Sequence, residues 1–422
     1  MIPPFHPFTV TVPGCVDGWV TLAERFASMP LADLLSPAIE FADKGFPVSD
    51  ELAGALTRRS ETLQPQAPWL YPPIPGTIVR RAALAETLRD IAQGGRAGFY
   101  EGSAGRAIRR AVPHITAPDL SAGQSEWVEP ISAQVFGRTA WTMPPNTQGY
   151  LTLASSWIFE QTQPPSAPMD PDYVHLQIEA FRSVAWERDD LVTDPRRAPL
   201  APDRLTAPDR LQDRAERIDR SHAIQWPSPN PAQGGTAYLC FVDEAGMGVS
   251  LIQSNYMGIG SGIGAAGAGF FLHNRGAGFT LHEGHPNELT PGGRPLHTLS
   301  PTIWTRDGTL DTVLGTRGGD YQPQLLLQMA SAMMFAGDRP DSAQRRPRWV
   351  LSDSVVRVES RMPERLISEL HRRGHNVEPT EAFERGWGPV SIIQVATDGT
   401  RIAASDPRVA TSLAAVARGT DG

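Results

Sequence analysis

The sequence predicts an α+β layered sandwich. Two observations carry this. The first half of the chain reads as amphipathic helices between Pro-rich loops, and the second half reads as β-hairpins with helices set between them.

In the first half, Val16, Trp19, Val20, Leu22 and Phe26 recur at helical spacing within "VDGWVTLAERFASM". Leu31, Leu34, Leu35, Ile39 and Phe41 follow as a second helix ending at Gly45. Leu84, Leu88 and Ile91 mark a third, with a stop at Gly94-Gly95. A further amphipathic helix runs from Val174 to Leu191. The stretch 195–230 contains the duplication "APDRLTAPDRL" followed by "QDRAERIDRSH". Its charge pattern predicts an exposed linker with at most a short charged helix. Beyond it, "TAYLCFV"/"MGVSLIQS", "PTIWT"/"TLDTVLG" and "VSIIQVA"/"TRIAASD" are hairpins by their alternation and short turns. Helices are predicted at 321–336 and 362–374.

With 422 residues, 40% of them hydrophobic, the chain can bury a sizeable core. The net charge of −8 comes with no basic stripe, which argues against a nucleic-acid partner. The apolar run 325–337 is broken by Gln328 and Ser331 and is too short to span a bilayer, so no membrane partner is expected. The first residues show no basic region followed by an apolar one, so no secretory signal is read there. A cytoplasmic location is the default, with a periplasmic one following if the true N-terminus lies elsewhere. Cys15 and Cys240 form no metal or redox motif and read as plain buried thiols.

Two constellations suggest chemistry without carrying it. "GIGAAG" (262–267) matches the dinucleotide fingerprint, but "AGFFLHNRGAGF" is a poor opening for the helix such a site needs. His273, His282, His285 and His297 fall close together without a ligand pattern, so no metal is assigned.

Two others fit one reaction. In "PAQGGTAYLCFVD", Gly234 and Gly235 precede Thr236 at the start of a strand. A threonine hydroxyl is a weak nucleophile and needs a base. Cutting the bond before it frees its own α-amine, whose pKa of about 7.7–8.0 leaves a fair fraction neutral near pH 7. By itself the motif reads first as an ordinary strand-leading Thr after a Gly turn, since strands favour Thr. "GTRGGDYQPQ" (315–324) follows a strand and opens a helix, so the N–H groups at Gly318-Gly319 form a natural oxyanion hole. The same turn also reads as a plain helix start capped by Asp320.

At these residues the chain resembles the γ-glutamyltransferase family of self-processing N-terminal-nucleophile hydrolases. The resemblance runs collinearly through "VPGCVDGW", "LLSPAIEFADKGFPV", "LRDIAQGGRAGFYEG", "ITAPDL", "MPPNTQGY", "TAYLCFVDEAGMGVSLIQSNYMGIGSG", "RPLHTLSPTI", "GTRGGDYQPQ" and "AASDPR". It implies a four-layer αββα sandwich, with self-cleavage between Gly235 and Thr236 into pieces 1–235 and 236–422 that stay together as a heterodimer, itself able to dimerise. Thr236 matches the nucleophile, Gly318 and Gly319 the oxyanion glycines, and Ser254 a supporting threonine. The substrate-side candidates are Asn255, Tyr256, Arg275, His297 and Thr298.

Three departures from the family pattern shape the expectation. Its ammonium-binding carboxylate falls at Gly278, a nearby glutamine at Arg275, an asparagine at Tyr256, and its two carboxylate-gripping serines at His297 and Thr298. This resembles the acylase-like branch, including glutaryl and cephalosporin acylases and an oxamate amidohydrolase, and Arg275 suits an acidic acyl end. Ala237 replaces a second threonine. The family's first strands, a helix and a substrate-binding arginine precede "VPG", so the sandwich is expected to lack them here. The implied activity is amide hydrolysis or acyl transfer on a small-molecule amide, γ-glutamyl or glutaryl, with no metal or organic cofactor. The alternative is an inactive remnant or a subunit that needs a partner chain.

Overall fold

The computed structural model describes residues 2–227 and 235–416. They fold as two compact units, Met1–Trp127 with Asn255–Ala277, and Val128–Ser254 with Gly278–Gly422. The bond between Gly235 and Thr236 therefore lies within the second unit. Gly234 lies outside the described residues.

The first unit is helical. Helices α1 (Cys15–Phe26), α2 (Leu31–Lys44), α3 (Ala82–Tyr100) and α4 (Ser103–Ala111) surround a core that includes Val16, Val20, Ile91, Phe99 and Ile108. The predicted stop at Gly94-Gly95 is instead a kink, where Gly95 takes φ 53° and the helix resumes. Cys15 is exposed rather than buried. "GIGAAG" forms no helix: two-residue strands at Gly264–Ala265 and Phe270–Phe271 pair across a turn. There is no helix N-terminus there to hold a pyrophosphate.

The second unit is layered. Its strands are β1 (Ile131–Val135), β2 (Arg138–Thr142), β3 (Gly235–Val242), β4 (Gly248–Tyr256, whose last two residues are counted with the first unit), β5 (Thr302–Arg306), β6 (Thr309–Thr316), β7 (Trp349–Ser352), β8 (Val355–Glu359), β9 (Asn376–Thr380), β10 (Val390–Val395) and β11 (Arg401–Ala404). All three predicted hairpins are present, as β3–β4, β5–β6 and β10–β11. Six strands make one antiparallel sheet in the order β11-β10-β6-β5-β2-β1. Strands β7, β8 and β9 form a separate three-stranded sheet.

Helices α5 (Tyr150–Gln161), α6 (Pro171–Ala185) and α8 (Gln322–Ala330) pack with the inward residues of the six-stranded sheet, including Ile131, Trp304, Leu314 and Ile392. The β3–β4 hairpin covers its other face. Val313 and Gly315 point that way: a Cβ built on Gly248 would lie 3.2 Å from Val313, and one on Gly315 would lie 2.1 Å from the Tyr238 ring. Strand β6 is thus buried on both sides from Asp311 onward, as sheet strands covered on two faces must be. The unit therefore stacks helices, sheet and hairpin.

The segment after residue 195 is not an exposed linker. It contains helix α7 (Pro208–Arg217), and Leu205 and Leu211 are 1% and 0% exposed within the main core. Two leucines of the duplicated motif anchor it, and Arg210 and Arg214 of α7 pair with the buried Glu187, while Asp209, Asp213, Glu216 and Arg217 stay exposed. No helix among the described residues is long and apolar enough to cross a membrane.

Candidate active site

Strand β3 alternates cleanly. Thr236, Tyr238 and Cys240 are half-buried on the face toward the six-stranded sheet, while Ala237, Leu239 and Phe241 are exposed. Tyr238 lies over Gly315, and Gly248, just after the hairpin turn, lies over Leu310 and Val313. β3 therefore runs opposite to β6, which projects Thr236 beyond Gly315 toward the Gly318-Gly319 turn. Burial pushes the Cys240 thiol up to about 12, so it stays a neutral packing group.

Ser254, on β4, stands beside the predicted cut. Its Oγ donates to the Gly235 carbonyl oxygen at 2.8 Å and lies 2.9 Å from Thr236 Oγ1. A hydroxyl has one proton to give. With that proton on Gly235 O, the bond between the hydroxyls has Thr236 donating and Ser254 accepting. One side chain thus touches both the hydroxyl and the carbonyl of the Gly235–Thr236 junction.

The turn after β6 is fixed from several sides. Gly318 and Gly319 have φ 129° and 59°, left-handed values that favour glycine. Tyr321 N–H donates to Gly318 O at 3.1 Å. Since a trans peptide holds its C=O and N–H on opposite sides, this turns Gly319 N–H away from Tyr321. Among the described residues neither Gly318 N–H nor Gly319 N–H has a protein acceptor. Asp320 does not cap the helix: its carboxylate pairs with buried Arg188 at 2.9 Å. Burial works against the Arg188 charge, but Asp320 and Asp189 more than offset it and hold the guanidinium ionised. Gln148, fully buried, donates from Nε2 to Gly319 O at 3.0 Å and to Thr298 O at 2.8 Å.

His297 and Thr298 are in this same unit. His297 N–H donates to Asn146 O at 2.8 Å. Asn255, Tyr256 and Arg275 belong to the first unit. There, Asn255 O accepts from Asn274 N–H at 3.2 Å, and the buried Arg275 guanidinium stacks 3.6 Å from the centre of the Tyr256 ring, a cation–π pair. Tyr256 holds φ 73°, uncommon for a bulky residue. At Gly278 a Cβ would lie 2.7 Å from Leu296 O, so this backbone leaves no room for a carboxylate side chain. Among the described residues no cluster of His, Cys, Asp and Glu could hold a metal.

Sequence reasoning missed Gln148, Arg188 and Tyr238 as parts of this region. Gln148 stood inside the motif "MPPNTQGY", but nothing local marks a glutamine as a brace. Arg188 lay in the tail of a predicted amphipathic helix, where nothing local marks it as the partner of Asp320.

A hairpin carrying Thr236, laid on a sheet whose next turn presents two glycine N–H groups, is the arrangement of an N-terminal-nucleophile amide hydrolase. The comparisons specify the family. The Gamma-glutamyltranspeptidase family model matches residues 2–416, and the chain belongs to that family. It is 33% identical to the Glutathione hydrolase-like YwrD proenzyme of Bacillus subtilis and 33% identical to the Oxamate amidohydrolase proenzyme of Klebsiella pneumoniae, each alignment covering 94% of this chain and 79% of the relative. The crystal structure of cephalosporin acylase from Bacillus halodurans superposes with a TM-score of 0.89 at 33% identity, over 96% of this chain and 78% of that one. The chain is thus a family hydrolase or acyltransferase of the acylase-like branch, with the N-terminal-nucleophile fold.

Proposed function

We propose that the chain cuts itself at Gly235–Thr236 and then hydrolyses amides through the exposed threonine. The observation that carries this is Ser254 Oγ bonded to both Gly235 O and Thr236 Oγ1. Thr236 Oγ attacks the Gly235 carbonyl carbon, and as the C–N bond breaks the Oγ proton passes to the departing Thr236 nitrogen, which becomes the amine. An ester joins Gly235 to the Thr236 oxygen. Ser254 donates to the carbonyl oxygen as negative charge develops there. Water hydrolyses the ester, leaving a Gly235 carboxylate and a free Thr236 amine. The proenzyme names of two relatives support this reading.

In the mature form the Thr236 α-amine takes the Oγ proton as Oγ attacks the substrate amide. The Gly318 and Gly319 N–H groups hold the oxyanion, and the leaving amine departs with the proton. Water, or an amine acceptor, then releases the acyl group. The two pieces stay assembled because they share a sheet: β2 of the first pairs with β5 of the second through Thr139–Thr305 and Trp141–Ile303.

The acyl group is proposed to end in an acid rather than carry an ammonium. The absence of room for a carboxylate at Gly278 and the cationic Arg275 support this, as do relatives named for oxamate and cephalosporin. His297 and Thr298 are the proposed substrate-side residues of the second unit, and Asn255 and Tyr256 those of the first.

The test is a denaturing gel with N-terminal sequencing of the expressed chain. Two bands are expected, one starting at Thr236, and Thr236→Ala should remain a single precursor. Ser254→Ala should slow cutting by about 10²-fold, the scale of a lost oxyanion donor. A single uncut wild-type band would end the proposal. Glutaryl should outperform γ-glutamyl anilide; the reverse order would remove the acidic-acyl assignment while leaving the nucleophile intact.

A further inference from the structure

We infer that Gln148 is a positioning residue that sets the oxyanion turn for external amides while leaving self-cleavage alone. This rests on the proposed Thr236 chemistry and extends it to a residue outside the nucleophile hairpin.

Gln148 is locked at both ends. Its backbone sits at the entry to α5, where its carbonyl accepts from Leu151 N–H at 3.0 Å. The next residue, Gly149, presses on β2 so closely that a Cβ would lie 2.0 Å from Thr142 Oγ1. Its side chain is 0% exposed. The two protons on Nε2 serve two carbonyls, Thr298 O and Gly319 O. The amide oxygen, also buried, has no protein partner among the described residues. All of the contact is therefore donation, and a residue without a donor cannot replace it.

The bond to Gly319 O fixes the peptide between Gly319 and Asp320. The bond from Tyr321 N–H to Gly318 O fixes the preceding peptide, whose N–H belongs to Gly319. Together they hold the two peptides that flank Gly319, a residue with no side chain to stiffen it, and the first of these peptides carries the Gly319 N–H, one of the two proposed oxyanion donors. The bond to Thr298 O ties the same turn to the segment bearing two substrate-side candidates. Turn and segment therefore keep a fixed spacing, and misplacement of catalytic groups by about 1 Å can cost on the order of 10²-fold in rate.

Self-cleavage is different. Its carbonyl is Gly235 O, which already has a donor in Ser254. Loosening the Gly318-Gly319 turn should separate the two reactions, which a general loss of stability would not do.

The experiment uses the full chain with Gln148→Met, similar in size but without a donor, and Gln148→Glu. Self-cleavage is followed by the appearance of the chain beginning at Thr236. Turnover is read as kcat and KM on whichever of glutaryl or γ-glutamyl p-nitroanilide the wild type hydrolyses faster, per mole of cleaved enzyme. For Gln148→Met the expectation is self-cleavage within a few-fold of wild type and kcat lower by roughly 10²-fold, with a smaller change in KM. Unchanged kcat, or equal losses in cleavage and turnover, overturns the inference. For Gln148→Glu, an ionised carboxylate faces two carbonyl oxygens while a protonated one donates to one of them. Its kcat relative to wild type should rise as pH falls; a flat ratio overturns the inference. Loss of folded protein in both variants also overturns it, because the residue would then be holding the fold and not the turn. If Thr236→Ala still hydrolyses the anilide, the nucleophile assignment fails whatever Gln148 does.

Discussion

Single residues in this protein are defined by the space around them. Gly278 shows this most plainly. The family resemblance places an acidic side chain at that position, and restoring it by Gly278→Asp looks like a route to γ-glutamyl recognition. The backbone forbids it: the new Cβ would lie 2.7 Å from Leu296 O, a main-chain atom with little freedom to yield. The expected result of Gly278→Asp is a loss of about 1–3 kcal/mol of stability, the usual range for overpacking, and no gain in γ-glutamyl turnover. Urea unfolding and an anilide assay check the two halves. The proposed preference for an acidic acyl end thus rests on the main chain at Gly278, beyond the identity of one side chain.

At the scale of elements, the stacking of the β3–β4 hairpin on β6 decides where Thr236, the proposed nucleophile, lies. A glycine inside a strand ordinarily weakens it relative to alanine. At Gly315 the sign should reverse, since a Cβ would lie 2.1 Å from the Tyr238 ring. Gly315→Ala is expected to destabilise by about 1–3 kcal/mol. A double-mutant cycle with Tyr238→Ala should show coupling of at least about 0.5 kcal/mol, as contacting residues do. Additivity would mean that the hairpin does not seat there. Helix α7 gives a second test. Leu211 is 0% exposed, so Leu211→Ala should cost about 2–5 kcal/mol by chemical denaturation. A residue on an exposed linker would change stability by less than about 0.5 kcal/mol. Periodicity failed in this region because charges outnumber apolar residues. It failed for α5 for the opposite reason: that helix is buried nearly all round and shows no polar face to give a period.

The whole molecule should be sensitive to acid. His175 on α6 and His375 just before β9 lie 2.8 Å apart, with His175 Nε2 2.7 Å from Asp219 O. Burial pushes His175 down to about 4, and burial with the neighbouring His175 and Arg charges pushes His375 down to about 3. Unfolded histidines take a proton near pH 6.5, whereas the folded pair resists it until far lower pH. Protonation therefore favours the unfolded chain. The stabilisation is complete above about pH 6.5 and is lost as pH falls toward about 4. Thermal melts across pH 7.5–4 should show Tm falling, and His375→Gln should flatten that slope. An unchanged slope would show that the pair titrates normally.

The sequence by itself determined the parts whose signals are local. Alternation and short turns placed the three hairpins, and glycine pairs marked the two joints, at Gly235-Thr236 and Gly318-Gly319, where conformation matters more than side chains. Those signals depend on a few neighbouring residues, so they survive without knowledge of the fold. Only the tertiary structure decided how those joints are held. Gln148 meets Gly319 across 171 positions, Arg188 meets Asp320 inside the core, and Leu296 O fills the space beside Gly278. Each is a contact between segments remote in the chain, and the chemistry of either partner alone does not specify it: a buried donor, a charge or an empty Cβ position takes its meaning from what the folded backbone brings against it.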